Sequence, residues 1–143
     1  KFIFIVYLKK ITMNKKLDKI LAEISAGELI DKITILEIKK KKINKVNKLK
    51  DVEKELLSLN DTFKKCIPDP SKIQTLINDL KTINLKLWDV ENKKRIAEKN
   101  KNFNEKFVEL ARSVYKNNDE RAKIKLEINN ILGSNIKEVK SHF

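Results

Sequence analysis

The sequence predicts a mainly α fold: an antiparallel up-down helical bundle, or a set of long helical hairpins, with about four helices. Three observations carry that expectation. Only two Gly and two Pro occur in 143 residues, while 41% of the chain is apolar, enough to build a core. Apolar residues recur at steps of three and four through most of the chain. The connections between those runs are short, which sets consecutive helices side by side and antiparallel. Residues 19–143 are expected to form one helical domain, with 1–18 as an extension outside it.

The first helix is predicted from residue 26. Ser25 and Glu28 in "SAGE" have capping-box spacing. Its apolar face runs through Leu29, Ile33 and Leu36 and resumes at Ile43 and Val46 after four lysines, giving an end near residue 49. A second helix over 51–66 places Val52, Leu56, Leu59, Phe63 and Cys66 at alternating four- and three-residue steps. "PDPS" stops it, and Ser71 is expected to cap the third helix. That helix carries Ile73, Leu76, Leu80, Ile83, Leu87, Val90 and Ala97 to about residue 100, a rod of roughly 40 Å. The fourth shows Phe103, Phe107, Leu110 and Val114, then polar Asn117 and Arg121, then Ile124, Ile128 and Ile131, with Gly133 as its left-handed end. Two flanking segments, 20–25 and 136–141, read either as a small two-stranded β patch or as frayed helix and tail.

The formal charge of +13 invites a polyanion partner, but it is made of 30 Lys and only 3 Arg, beside many Ile and Asn. That is the output of AT-rich codon usage at tolerant positions. Base readout and phosphate clamping draw on the arginine fork, so a solvated lysine surface outranks nonspecific nucleic-acid binding, which stays as a second alternative. Parallel first and third helices would put Lys39, Lys40, Lys41 and Lys42 at the same end as Lys93, Lys94 and Arg95, a basic pole. Cations at helix C-termini account for it structurally; an anion or membrane-surface contact is the functional reading.

The apolar run from Phe2 to Leu8 is too short to span a bilayer and has no cleavage site after it. The chain begins with Lys and its only methionine is Met13, so residues 1–12 are read as an upstream extension of the reading frame. Cys66 is alone, which fits the cytoplasm and a small core position.

The interruption at Asn117 and Arg121 is the most informative feature. Both fall on the packing seam, and a guanidinium between helices needs a carboxylate. Matching heights along the helices brings Arg121 to Asp31, Glu28 and Glu37, and sets Asp89 nearer Asn117. The expected network is Asp31, Asn117 and Arg121, flanked by Tyr115 and Asp119. Such a network either fixes helix register and assembly, or clamps a small anion.

Other chemistry lacks parts. His142 is the only histidine and sits one residue from the end, so no histidine-based metal site or Ser-His pair can form within one chain. Gly27 and Gly133 punctuate helices and build no phosphate loop. No metal and no cofactor are expected. A helical enzyme working by electrostatics needs several inward cations, and only Arg121, joined by Lys32 or Lys40, qualifies, so the reading leans away from an enzyme.

The blocks "SAGELIDKITILEIK" (25–39), "LWDVE" (87–91), "FVELARSVYKNNDERA" (107–122) and "LGS" with "EVKS" (132–141) together resemble a family of small uncharacterised bacterial proteins with no assigned biochemical function. The likeness runs from about residue 19 onward. It implies no catalytic residues or cofactor. It does imply an association with bacterial surface-glycan and glycosyltransferase systems, hence a possible protein partner there. The resulting expectation is a cytoplasmic, non-enzymatic helical interaction or assembly module, a homodimer because long seams offer more apolar surface than one short helix covers. Binding of a small anion, nucleotide or glycan precursor at Arg121 is the alternative.

Overall fold

The computed structural model describes residues 17–140, so the reading of 1–12 as non-native, the end of the second strand segment and His142 lie outside the described residues. Four α-helices occur among them: α1 (Ala26–Lys42), α2 (Val46–Cys66), α3 (Gln74–Lys99) and α4 (Glu105–Leu132), with a 3-10 turn at Ser71–Ile73 leading into α3. None of these helices is long and apolar enough to cross a membrane.

The first break comes earlier than the apolar spacing predicts. Helix α1 ends at Lys42, its last turn made of Lys39, Lys40, Lys41 and Lys42, and Ile43 turns extended (φ −94°, ψ 125°). Continuing the helix would stack Lys45 and Lys48 on that row of like charges. Reversal at 43–45 instead folds α2 back on α1, burying Val52 and Leu56 against Leu29, Ile33 and Leu36. Val46 does not extend the α1 face; it is exposed.

Cys66 is exposed and is not a core residue. The chain leaves helical geometry after it, and the buried side chain at that corner is Ile67. Ser71 does not cap α3 through its side chain; Asp69 Oδ1 accepts the Ser71 N–H at 3.0 Å, and the 3-10 turn then starts the helix. Asn104 caps α4, accepting from the Phe107 N–H. Gly133 ends α4 in the left-handed region (φ 64°, ψ 40°), where a side chain would be strained.

No strand forms at 20–25 or 136–140 among the described residues. Asn135, just before the second segment, donates its Nδ2 to Glu23 Oε1 at 2.6 Å, and no backbone ladder joins the two segments. Leu17, Ile20 and Leu21 stand exposed, so nothing buries one face of such a ribbon.

Helix α1 touches all three others. One apolar cluster joins Ile30 to Ile67, Ile73, Leu80, Ile83, Ile124 and Ile128; the other lies between α1 and α2. Partner positions fix directions: Asp31 meets Arg121 and Gly27 meets Asn129, so α4 runs antiparallel to α1. Because α1 stops near the level of Asp89, the rest of α3 and the first half of α4 continue beyond it as a two-helix arm. No residue from 88 to 123 is buried.

Candidate functional site

A polar seam joins α1 to α4. Three residues at steps of four on α4, Arg121, Lys125 and Asn129, face Asp31, Glu28 and Gly27 on α1. Helical spacing produces this directly, since i, i+4 and i+8 share a face.

At the first rung, the α1 backbone begins deep in the protein and its free N–H groups need acceptors. Each is supplied: the Ala26 N–H donates to Ser134 Oγ at 3.1 Å, Gly27 to Asn129 Oδ1 at 2.7 Å and Glu28 to Ser25 Oγ at 3.1 Å. Gly27 is needed for a close approach, because a Cβ there would sit 2.5 Å from the Lys125 carbonyl oxygen. With Oδ1 committed to Gly27, Asn129 Nδ2 is buried without a partner among the described residues. A helix N-terminus so fully capped has no donor left for an anion.

At the second rung, Lys125 Nζ donates to Glu28 Oε2 at 2.7 Å and also reaches Glu138, which ties the C-terminal tail onto α4. Burial alone would pull this ammonium down, yet the two carboxylates outweigh it and hold its pKa above the ordinary lysine value.

The third rung is the most connected. Asp31 is 1% exposed, and it accepts Arg121 Nε at 2.8 Å on Oδ1 and Arg121 Nη2 on Oδ2, a bidentate pair. Asn84 Nδ2, from α3, donates to the same Oδ1 at 2.8 Å and to Thr34 Oγ1 at 2.9 Å, and Thr34 Oγ1 donates to the Asp31 carbonyl at 2.8 Å. Three helices are thus keyed at one carboxylate. Hydrogen bonding to Asp31 raises the Arg121 pKa still further. Neither cation of the seam releases its proton near neutral pH, so neither serves as a general acid or base there.

The other residues singled out by sequence are placed differently. Asn117 does not join Arg121: its Nδ2 donates to the Ser113 carbonyl one turn back, at 2.7 Å, which satisfies it within its own helix. Asn118 takes its place, accepting from Arg121 Nη1 at 3.3 Å. Glu37 pairs with Lys81 of α3, Asp119 with Lys140, and Asp89 lies 3.9 Å from Lys42. Tyr115 is exposed. The Lys42–Asp89 contact puts the end of α1 beside the middle of α3; nearby, Lys40 pairs with Glu53 and Lys94 with Glu91, both at 3.1 Å. Asn84, Thr34, Asn129 and Lys125 escaped the sequence reading. Asn84 carried a usable signal, since it sits four residues after Leu80 and three before Leu87, on the same stripe.

Two cavities flank Arg121. One, of about 440 Å³, opens between α1 and α3 under Trp88; the other, of about 870 Å³, lies along the tail near Tyr115 and Lys125. No group of three or more His, Cys, Asp or Glu side chains able to hold a metal ion occurs among the described residues.

No curated protein and no solved structure matches this chain. A family model does, over residues 20–142, under the description "Family of unknown function (DUF6165)". That span takes in both partners of every rung of the seam, from Ser25 to Glu138, and the chain belongs to this family.

Proposed function

We propose that the protein is a non-enzymatic helical interaction module that assembles as a homodimer through the α3–α4 arm. The observation that carries this is the absence of any buried residue from 88 to 123, although the arm holds Ile96, Phe103, Val108 and Tyr115 at 60%, 54%, 42% and 55% exposure. Phe107, Leu110 and Val114 are only half-buried, and the facing stretch of α3 offers the stems of Glu91 and Lys94 with Ala97. A two-helix hairpin so thinly packed gains most by meeting another hairpin, which closes a four-helix arrangement. A second copy suits the surface: carboxylates at Glu98, Glu105 and Glu109 lie among cations at Lys99, Lys101, Lys106 and Arg112, so two arms can set carboxylates against cations, unlike the 39–50 stretch, which has no carboxylate. The polar seam supports the same reading, since it fixes the helix register on which a symmetric interface depends.

Sedimentation velocity across micromolar concentrations tests it. The wild type is expected to show a concentration-dependent dimer, and Ile96→Glu with Phe103→Glu is expected to leave a folded monomer. A wild type that stays monomeric throughout that range contradicts the proposal.

A further inference from the structure

We propose that the cavity between α1 and α3 is a binding site for a phosphate ester carried on a ring, with Arg95 and Arg121 taking the phosphate and Trp88 the ring. This does not rest on the assembly reading.

The first observation is where the arginines fall. Basic positions in this chain are lysine thirty times and arginine three times, so guanidinium forks are scarce in it. Two of the three, Arg95 and Arg121, line this one cavity, together with the only tryptophan. Arg121 has a structural reason to be there. Arg95 has none: it is exposed and has no ion-pair or hydrogen-bond partner among the described residues. A planar fork without a partner, in the same cavity as a second guanidinium, fits bidentate recognition of an oxyanion.

The second observation is the state of Arg121. Its guanidinium has five N–H groups. Asp31 takes two and Asn118 one, which leaves two without a partner among the described residues. The buried carboxylate therefore holds the guanidinium in one orientation while part of it stays accessible, the side chain being 26% exposed. A donor already fixed loses little entropy on binding.

The third is the lining. Ile35, Ile38 and Leu87 give an apolar floor, and half-buried Trp88 provides a flat face beside it. Asn92 adds a polar rim group, and the Glu91 carboxylate, which would oppose an anion, is matched by Lys94 at 3.1 Å. At about 440 Å³ the space fits a sugar phosphate or part of a nucleotide. A bare inorganic ion would leave the apolar floor and the indole unused.

Because Trp88 is the sole tryptophan, its fluorescence reports this cavity alone. The full chain is titrated with uridine diphosphate, glucose 1-phosphate and inorganic phosphate. At least one ester is expected to give a saturable change below about 1 mM, weakened about tenfold by Arg95→Lys, which keeps the charge and removes the fork, and unaltered by Arg112→Lys. No saturable response to either ester below about 1 mM overturns the proposal. So does binding that Arg95→Lys leaves unchanged, or inorganic phosphate binding as tightly as the esters.

Discussion

The two halves of the α3–α4 hairpin are made of similar residues and meet opposite fates. Near the chain termini, α4 packs on α1 and α3, burying Ile124, Ile128, Lys125 and Asn129 with their polar atoms almost all paired. Beyond Arg121 the same helix, with Phe107, Leu110 and Val114 in the same rhythm, buries nothing fully. Helix α1 stops at Lys42, level with Asp89, so the tip of the hairpin lacks the third wall that its other end has. Apolar spacing alone does not decide burial; the length of the neighbour does.

The body should therefore break under single changes that the arm ignores. The largest effect is expected for Arg121→Met, which strands the Asp31 carboxylate at 1% exposure with Asn84 as its remaining side-chain donor: about 3–5 kcal/mol, read from urea denaturation. Adding Asp31→Leu to that variant should recover a large part of the loss, since a buried pair replaced by apolar groups costs far less than a broken one. Gly27→Ala comes next. Its Cβ would press on backbone of α4 at 2.5 Å, and the helix must shift, for about 1–3 kcal/mol. Ser134→Ala removes one acceptor from the start of α1 and should cost about 1 kcal/mol. In the arm, Val108→Ala is expected to change monomer stability by less than about 0.5 kcal/mol.

The second rung adds a pH signature. Lys125 has a folded pKa above its ordinary value of 10.5, so its contribution is complete below that value and is lost as pH rises through the folded pKa. Stability should hold steady through neutral pH and fall above about pH 10.5, and Lys125→Met should flatten that alkaline fall.

Much of the fold could be read from spacing. The third and fourth helices, the proline break and the Gly133 terminus all follow from periodicity and local backbone chemistry, which act over a few residues. The α1 boundary and the fate of Cys66 could not be read this way, because both depend on α2 folding back, a long-range event. At the seam, Arg121 announced itself as a charge on an apolar stripe, and Asp31 followed from helix direction. Asn117 looked equivalent to Arg121 in sequence, but a short side chain can satisfy itself on the preceding turn, whereas a guanidinium cannot. Asn129 and Lys125 gave no signal, since polar residues on a helix normally mean solvent; only the proximity of a glycine at the start of α1 makes room for them.

Hydrogen exchange measured at two protein concentrations, one well below and one well above micromolar, tests the contrast between body and arm most directly. Amides of α1 and of residues 121–132 are expected to be strongly protected and indifferent to concentration, while those of residues 90–116 exchange fast when dilute and slow as copies associate. Arm amides as protected as the body in the dilute sample, and unchanged on concentrating it, would contradict the account.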